Sequence, residues 1–349
     1  EHADVPTIYL GGWYDSYARG TTASYMALSR AKKSPQHLLM GPWTHGGWGV
    51  SFAGDVDFGV DVVLDDYNGI RRRWFDRWLK GIDNGVDKKP PVRYFVMGNG
   101  DGRKDRNGRL AHLGVWRSAK DWPLPGTRFT PCYLHADGTL GSELPGAAEP
   151  SRYSFDPRDP VPTIGGCLSA AEMVMPAGGH DQRGGRRFHG CVDGLPLAAR
   201  SDVLVFETPE LEEDVEVTGP LAVQLWASSS AVDTDFTAKL IDVHPPNPDF
   251  PRGFEQNITD SIIRGRYRNG RDEPELMEPG EVYPFEIVMY PTSNLFKRGH
   301  RIRLDISSSN FPRFDVNPNT GGEMGRDRRI VVAENAVYHD AEPPSHIVL

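Results

Sequence analysis

The sequence predicts the C-terminal part of an α/β sheet over residues 1–88, followed by an all-β jelly-roll sandwich over residues 89–349. Before residue 88, short apolar runs alternate with stretches of helical periodicity, a succession typical of parallel strands joined by helices. After residue 91, strand patterns follow one another with turn signals between them. Glycine (38 residues) and proline (29 residues) are abundant, which favours turns and short strands over long helices.

The first part contains two predicted strands and two predicted helices. The apolar runs Thr7–Leu10 and His37–Gly41 predict buried strands, the second ending at Pro42. Helical spacing of apolar residues predicts helices over Thr21–Lys32 and Asp66–Lys80. Two strands are too few for a complete domain of this class, so we expect the remainder of the sheet to lie outside this sequence.

In the second part, the periodic patterns that are long enough to predict an element all predict strands. We predict strands over Val92–Met97, Phe129–Leu134, Val203–Glu207, Leu221–Ala227, Asp235–Val243, Tyr283–Tyr290 and Arg301–Ser307. The last of these, R-I-R-L-D-I-S, alternates strictly between polar and apolar residues. That alternation predicts one face of the strand in a core and the other in water.

Composition excludes several classes of protein. The net charge of -9 argues against nucleic acid as a partner, because phosphate binding needs a basic surface. No apolar run reaches the roughly 20 residues that cross a membrane, so no membrane association is expected. Three cysteines, Cys132, Cys167 and Cys191, lack the spacing of a disulfide framework or a zinc site and are expected to be buried thiols. A cytoplasmic location is favoured, although the first residue is Glu1 and an upstream signal is not assessable.

Two polar residues follow the two predicted strands of the first part. Asp15 ends the motif G-G-W-Y-D (residues 11–15), and His45 lies in the motif G-P-W-T-H-G-G (residues 41–47). Consecutive parallel strands tend to be neighbours, so both side chains are expected at the same edge of one sheet. An aspartate that orients a histidine is the acid–base half of a nucleophilic triad, and in α/β sheets of this kind the acid precedes the base.

The nucleophile of such a triad is missing from the sequence. No G-x-S-x-G motif occurs, and Ser24, Ser29 and Ser34 lie in or near the first helix, where no strand-to-helix elbow can form. We therefore expect the serine upstream of this sequence. Other interpretations stay open: Asp15 as a turn or capping residue, His45 as a structural histidine, or the two as ligands of a metal that lacks a recognisable third ligand.

These motifs, with W-F-D-R-W-L-K-G (residues 74–81), resemble the C-terminal catalytic segment of the cocaine esterase, X-Pro dipeptidyl-peptidase and α-amino-acid ester hydrolase family. The second half is similar to that family's jelly-roll domain. The stretches that carry this similarity are residues 92–98, 116, 121–123, 133–138, 153–166, 310–314 and 317–321.

The resemblance implies an α/β-hydrolase domain with a helical cap, and hydrolysis of esters or amides through an acyl-enzyme. By position, Asp15 corresponds to the acid and His45 to the base. No residue of this sequence matches the family's serine, its cap or its tyrosine oxyanion donor, so the chain by itself is expected to be inactive.

Trp13, Trp43 and Trp48 are candidates for the wall of a substrate pocket. Trp43 and Trp48 flank the base, and packing over the strand end is the alternative for these two. The expected substrate is a small ester or peptide, and no metal or other cofactor is expected. Two rival functions remain: an inert jelly roll that binds carbohydrate, or a module for assembly. A homo-oligomer and association with a missing N-terminal segment are both open.

Overall fold

The computed structural model describes residues 3–170, 172–191, 194–340, 342 and 344–349. Its two α-helices are α1 (Ala18–Ala31) and α2 (Tyr67–Lys80). The strands are β1 Thr7–Tyr14, β2 Gln36–Thr44, β3 Phe52–Ala53, β4 Val56–Asp57, β5 Val92–Met97, β6 Leu110–Ala111, β7 Gly114–Ala119, β8 Pro131–Leu134, β9 Leu140–Gly141, β10 Ser151–Phe155, β11 Leu204–Glu207, β12 Val215–Gly219, β13 Ala222–Ser229, β14 Asp235–His244, β15 Phe254–Arg264, β16 Tyr283–Val288, β17 Thr292–Phe296, β18 Arg301–Ser307, β19 Ala333–Val337 and β20 His346–Val348.

The predicted strand–helix–strand–helix order of the first part is present. β1 and β2 are parallel neighbours, with α1 as the crossover between them. α2 buries Trp74 and ends at Gly81, whose φ of 71° is the left-handed conformation that favours glycine at a helix end. The prediction that Pro42 ends the second strand is wrong: β2 continues to Thr44. Pro42 is tolerated because the pairing of β2 with β1 is interrupted beside it by a register shift.

The sheet that contains β1 and β2 continues into the second half of the chain. Its order is β1-β2-β5-β17-β12, with β7 also paired to β5. β2, β5 and β17 are parallel neighbours, whereas β7 and β12 are antiparallel to theirs. The predicted boundary near residue 88 thus falls between two adjacent strands of one sheet, and the division into two domains stays a prediction.

Most of the remaining strands form two antiparallel sheets. One has the order β10-β19-β13-β20-β8-β9 with β16 on β13, and the other the order β11-β18-β14-β15. They share one apolar core, to which Phe236 and Leu304 contribute from one sheet and Leu225 and Phe285 from the other. This arrangement is a β-sandwich, and its assignment to the jelly-roll type stays a prediction.

Burial in the sandwich departs from the sequence prediction at two strands. Arg303 and Asp305 of β18 are 3% and 5% exposed, so the prediction of a water-facing side is wrong. Their charges are compensated inside the protein, where Arg303 lies 2.9 Å from Glu255 Oε2 and 3.0 Å from Asp305 Oδ1. β15, the longest strand, was not predicted, because most of its buried residues are polar.

Among the described residues, no helix combines the length and apolar character needed to cross a membrane.

Candidate active site

Asp15 and His45 lie at the carboxyl ends of adjacent parallel strands. Asp15 follows β1 directly, and His45 follows β2 directly. Gly12 pairs with Gly41 whereas Tyr14 pairs with Thr44, so β2 contains one more residue than β1 in this interval. The shift brings the ends of the two strands level, and the two polar side chains meet just beyond them.

The contact between the two residues has the geometry of an acid–base pair. Asp15 Oδ2 lies 3.2 Å from His45 Nδ1, and Asp15 Oδ1 accepts a hydrogen bond of 2.9 Å from the Tyr17 backbone N–H. The side chain of Asp15 is 12% exposed, whereas that of His45 is 54% exposed. With Nδ1 directed at the carboxylate, Nε2 is the nitrogen available to exchange a proton with a nucleophile.

One glycine of each motif is required by the packing of Trp43. A Cβ atom on Gly12 would lie 2.1 Å from the Trp43 backbone oxygen, and one on Gly41 would lie 2.6 Å from the Trp43 ring. The Trp43 side chain is 4% exposed and donates from Nε1 to the Val62 oxygen at 2.9 Å. Gly12 and Gly41 therefore leave the space that Trp43 occupies beneath the strand ends.

The end of β1 is anchored to the sandwich. The Tyr14 hydroxyl donates to the Asn257 backbone oxygen at 3.0 Å and accepts from Gln256 Nε2 at 3.1 Å, both on β15. Cys167 Sγ lies 3.1 Å from the Trp13 backbone oxygen. Because Tyr14 directly precedes Asp15, these contacts fix the position of the carboxylate.

A cavity of about 280 Å³ opens beside the pair. Its wall includes two of the predicted tryptophans, Trp43 and Trp48, and the latter stacks on Tyr67 at a ring distance of 4.3 Å. Tyr17 was not among the predicted site residues, but its ring centre lies 5.2 Å from that of His45 and it also lines the cavity. Its position two residues after Asp15 was the feature of the sequence from which a place beside the site could have been predicted.

Trp13 lies in the core and not on the wall of this cavity. It is 0% exposed, stacks against Trp122 at 5.6 Å and donates from Nε1 to the Phe95 oxygen at 2.7 Å. Trp13 was predicted as a pocket residue, but its ring packs in the core and does not line this cavity.

A second cavity, of about 540 Å³, lies on another side of His45. Leu168 and Ser169 of the sandwich half contribute to its wall, together with a charged group formed by Asp55, His180 and Arg187. His180 Nδ1 lies 2.9 Å from Asp55 Oδ2, and Arg187 also binds that carboxylate. No sequence signal marked this group, because Asp55 lies 125 residues before His180 along the chain.

Within the described ranges, one set of three side chains could hold a metal ion: His112, Asp242 and His244. This set includes neither Asp15 nor His45. The cysteines Cys167 and Cys191 are buried as expected, and Cys132 is partly buried.

Two family sequence models match the chain. The model for the X-Pro dipeptidyl-peptidase C-terminal non-catalytic domain matches residues 84–348, and the model for X-Pro dipeptidyl-peptidases of the S15 family matches residues 1–47. Asp15 and His45 thus fall within the second match. The two matches together cover most of the chain.

Similar proteins include a cocaine esterase from a Rhodococcus species (strain MB1 Bresler), 37% identical over 362 residues, with 99% of this chain and 56% of the esterase covered. An α-amino acid ester hydrolase structure superposes with a TM-score of 0.79 at 29% identity, covering 99% of this chain and 55% of that one. An aminopeptidase from a marine sediment thaumarchaeon has a TM-score of 0.79 at 28% identity, with coverages of 98% and 54%. The chain spans about half the length of these relatives.

Proposed function

Because this chain belongs to the cocaine esterase and X-Pro dipeptidyl-peptidase family, we propose that it supplies the acid, Asp15, and the base, His45, of a serine hydrolase triad. The nucleophilic serine comes from a segment outside this sequence. The reaction is the hydrolysis of an ester or an amide through an acyl-enzyme.

The observation that supports this proposal best is the contact of 3.2 Å between Asp15 and His45 at adjacent strand ends. The carboxylate holds the histidine ring by Nδ1 and stabilises the imidazolium that forms during the reaction. His45 accepts the serine proton at Nε2 as the oxygen attacks the substrate carbonyl, and returns the proton to the leaving group. Water then attacks the acyl-enzyme by the same route.

The free edge of β1 offers the nucleophile a route into the site. No G-x-S-x-G motif occurs in the sequence, and the relatives are about twice as long as the chain. β1 is the last strand in the order of its sheet, and a terminal strand presents backbone groups to which another strand can pair. A parallel strand added there would bring its carboxyl end, and a serine elbow beyond it, to the edge where Asp15 and His45 lie.

The cavity of about 280 Å³ favours a substrate with an apolar acyl group. Trp43, Trp48, Tyr17, Tyr67 and Leu64 line it, and aromatic side chains of this kind bind apolar groups by burying their surface. This chemistry agrees with the ester and amide substrates implied by the names of the relatives. The proposed route requires only protein groups and water.

The test is hydrolysis of an activated aryl ester by two forms of the protein. The 349-residue chain alone should give no turnover above that of its His45→Ala variant, because it lacks the nucleophile. A form extended upstream through a G-x-S-x-G segment should turn over the ester, and His45→Ala should abolish that activity. The control is His189→Gln, a change at an exposed histidine. Turnover by the chain alone that depends on His45 would contradict the proposed missing serine.

The rival function of carbohydrate binding lacks support in the described part of the sandwich. Binding of sugar rings on a sheet face needs several exposed aromatic side chains close together. Among the described residues of the sandwich half, Phe129 is the single aromatic residue with a largely exposed side chain. An assembly role stays a prediction.

A further inference from the structure

Three histidines and one aspartate from separate parts of the chain meet in the interior, away from the proposed triad residues. Asp242 and His244 are two residues apart on β14, so both side chains project from the same face of the strand. His112 follows β6, and His300 precedes β18. The four residues are between 0% and 8% exposed.

The spacing of the donor atoms is close to that of a metal site. One ligand atom each from His112, Asp242 and His244 lie within 4.8 Å of one another. Three atoms with that spacing lie no more than about 2.8 Å from a common point, and zinc–nitrogen and zinc–oxygen bonds are about 2.0–2.2 Å long. Movements of less than about 1 Å, within the reach of side-chain rotation, would complete the coordination.

The lack of hydrogen-bond partners around His244 supports a metal site independently of the spacing. Neither of its ring nitrogens has a hydrogen-bond partner, although both are buried. Gln256, which lies opposite Asp242 in the β14–β15 pair, also has an unpartnered amide oxygen. Buried polar atoms without a partner cost folding free energy, so in native proteins they are usually satisfied by a bound water or ion.

The neighbouring side chains hold the other two ligands in place. His300 Nδ1 lies 2.7 Å from Asp242 Oδ1, which leaves Oδ2 directed at His244 Nε2 at a distance of 3.7 Å. Asn294 accepts from His112 Nε2 at 2.8 Å and donates to Asp242 Oδ2 at 3.3 Å. Hydrogen bonds of this kind orient ligands around protein-bound metals.

We propose that His112, Asp242 and His244 form a structural site for a divalent transition metal of the zinc class, with His300 as the residue that positions Asp242. The nitrogen and oxygen donors match those that zinc prefers, and the burial fits a structural role. The proposal departs from the sequence expectation that no metal is present. It is independent of the proposed hydrolase function.

A metal here would connect the sandwich to the wall of the larger cavity beside His45. The backbone N–H of His112 donates to the backbone oxygen of Asp57 at 3.1 Å. β6 pairs with β4, and β4 directly follows Asp55, which lies on that wall. Coordination would therefore fix this segment to β14. Loss of the metal should lower the stability of the protein without removing any group from the triad.

The test is the metal content of the untagged full chain, purified from cells grown with added zinc, together with its thermal unfolding. We expect about one equivalent of zinc per chain after gel filtration. A chelator should lower the Tm, and added Zn²⁺, but not Mg²⁺, should restore it.

Three variants sharpen the test. His244→Gln should lose the bound zinc, and His300→Gln should weaken binding by about 10–100-fold. His189→Gln, at an exposed histidine outside the cluster, should bind as the unchanged protein does. Zinc well below one equivalent with no effect of chelator on Tm would overturn the proposal, as would full zinc binding by His244→Gln. If that variant does not fold, the Tm of the unchanged chain with Zn²⁺ and with Mg²⁺ decides the question.

Discussion

Two aspartate–histidine pairs lie close to each other in this protein, and they differ in what the histidine can do. In the first, Asp15 and His45 are 3.2 Å apart; in the second, Asp55 and His180 are 2.9 Å apart. His45, Asp55 and His180 line the same cavity of about 540 Å³. The side chain of His45 is 54% exposed, whereas that of His180 is 2% exposed.

The second nitrogen of each ring shows the difference most clearly. His180 Nε2 lies 3.1 Å from the Ala177 backbone oxygen, and its Nδ1 lies 2.9 Å from Asp55 Oδ2 and 3.0 Å from Arg187 Nη2, so both ring nitrogens have partners inside the protein. Asp55 is further bound by Arg187. A histidine whose two ring nitrogens both contact protein groups has no nitrogen free to exchange a proton with a nucleophile, and its contacts stabilise the fold instead. A short Asp–His distance is therefore insufficient evidence for catalysis, and access to Nε2 is what distinguishes His45.

The largest expected difference between the pairs is in turnover. In a form of the protein that includes a serine elbow, Asp15→Asn should lower kcat by about 10⁴-fold, because the amide favours the wrong tautomer of the histidine. Asp55→Asn should lower it by less than about tenfold, since Asp55 orients no proton-transferring group. Steady-state hydrolysis of an aryl ester measures both. Equal losses would show that the second pair also takes part in the reaction.

The second difference should appear in stability, with the order reversed. His180→Ala removes a buried ring that is hydrogen-bonded on both sides and should lower the free energy of unfolding by about 2–4 kcal/mol. His45→Ala removes a half-exposed ring and should change it by less than about 1 kcal/mol. Urea unfolding followed by circular dichroism gives both values. A cost at His45 as large as that at His180 would indicate that the first pair is also structural.

The first pair could be predicted from the sequence because its signal is local. Each residue directly follows a short apolar run with glycines, and neighbouring parallel strands share an edge, so two motifs sufficed to predict the contact. The direction of the flanking side chains was not predictable in the same way. Trp13 and Trp43 occupy similar positions in their motifs, yet Trp43 reaches the cavity and Trp13 packs on Trp122 in the core.

The second pair and much of the sandwich could not be predicted, because they depend on contacts between distant residues. Nothing near Asp55 indicates that His180 will lie beside it. β15 carries Glu255, Gln256 and Asp260 in the interior, where Arg303 binds Glu255 and Arg313 binds Asp260. Polar residues in a sequence suggest exposure, so a strand whose buried charges are compensated by other strands gives no periodic apolar signal.

The smallest expected effect is a pH dependence of stability that belongs to the second pair. Burial by itself would raise the pKa of Asp55, but the hydrogen bonds and charges of His180 and Arg187 outweigh it and lower the pKa from its ordinary value of 3.8 to about 2. A carboxyl group with a lowered pKa stabilises the fold above its unfolded pKa and loses that contribution as the pH falls toward the folded pKa. The window is therefore between about pH 4 and pH 2.

The difference in unfolding free energy between the unchanged protein and Asp55→Asn measures this contribution. Since the carboxylate is partly exposed, we expect a difference of about 1 kcal/mol at pH 5 from this source, falling by about half at pH 3. Asp61→Asn, at an exposed aspartate, provides the matched control and should show little change. A constant difference for Asp55→Asn from pH 5 to pH 3 would mean that Asp55 contributes through packing. His180 would then be held mainly by its contact with the Ala177 oxygen.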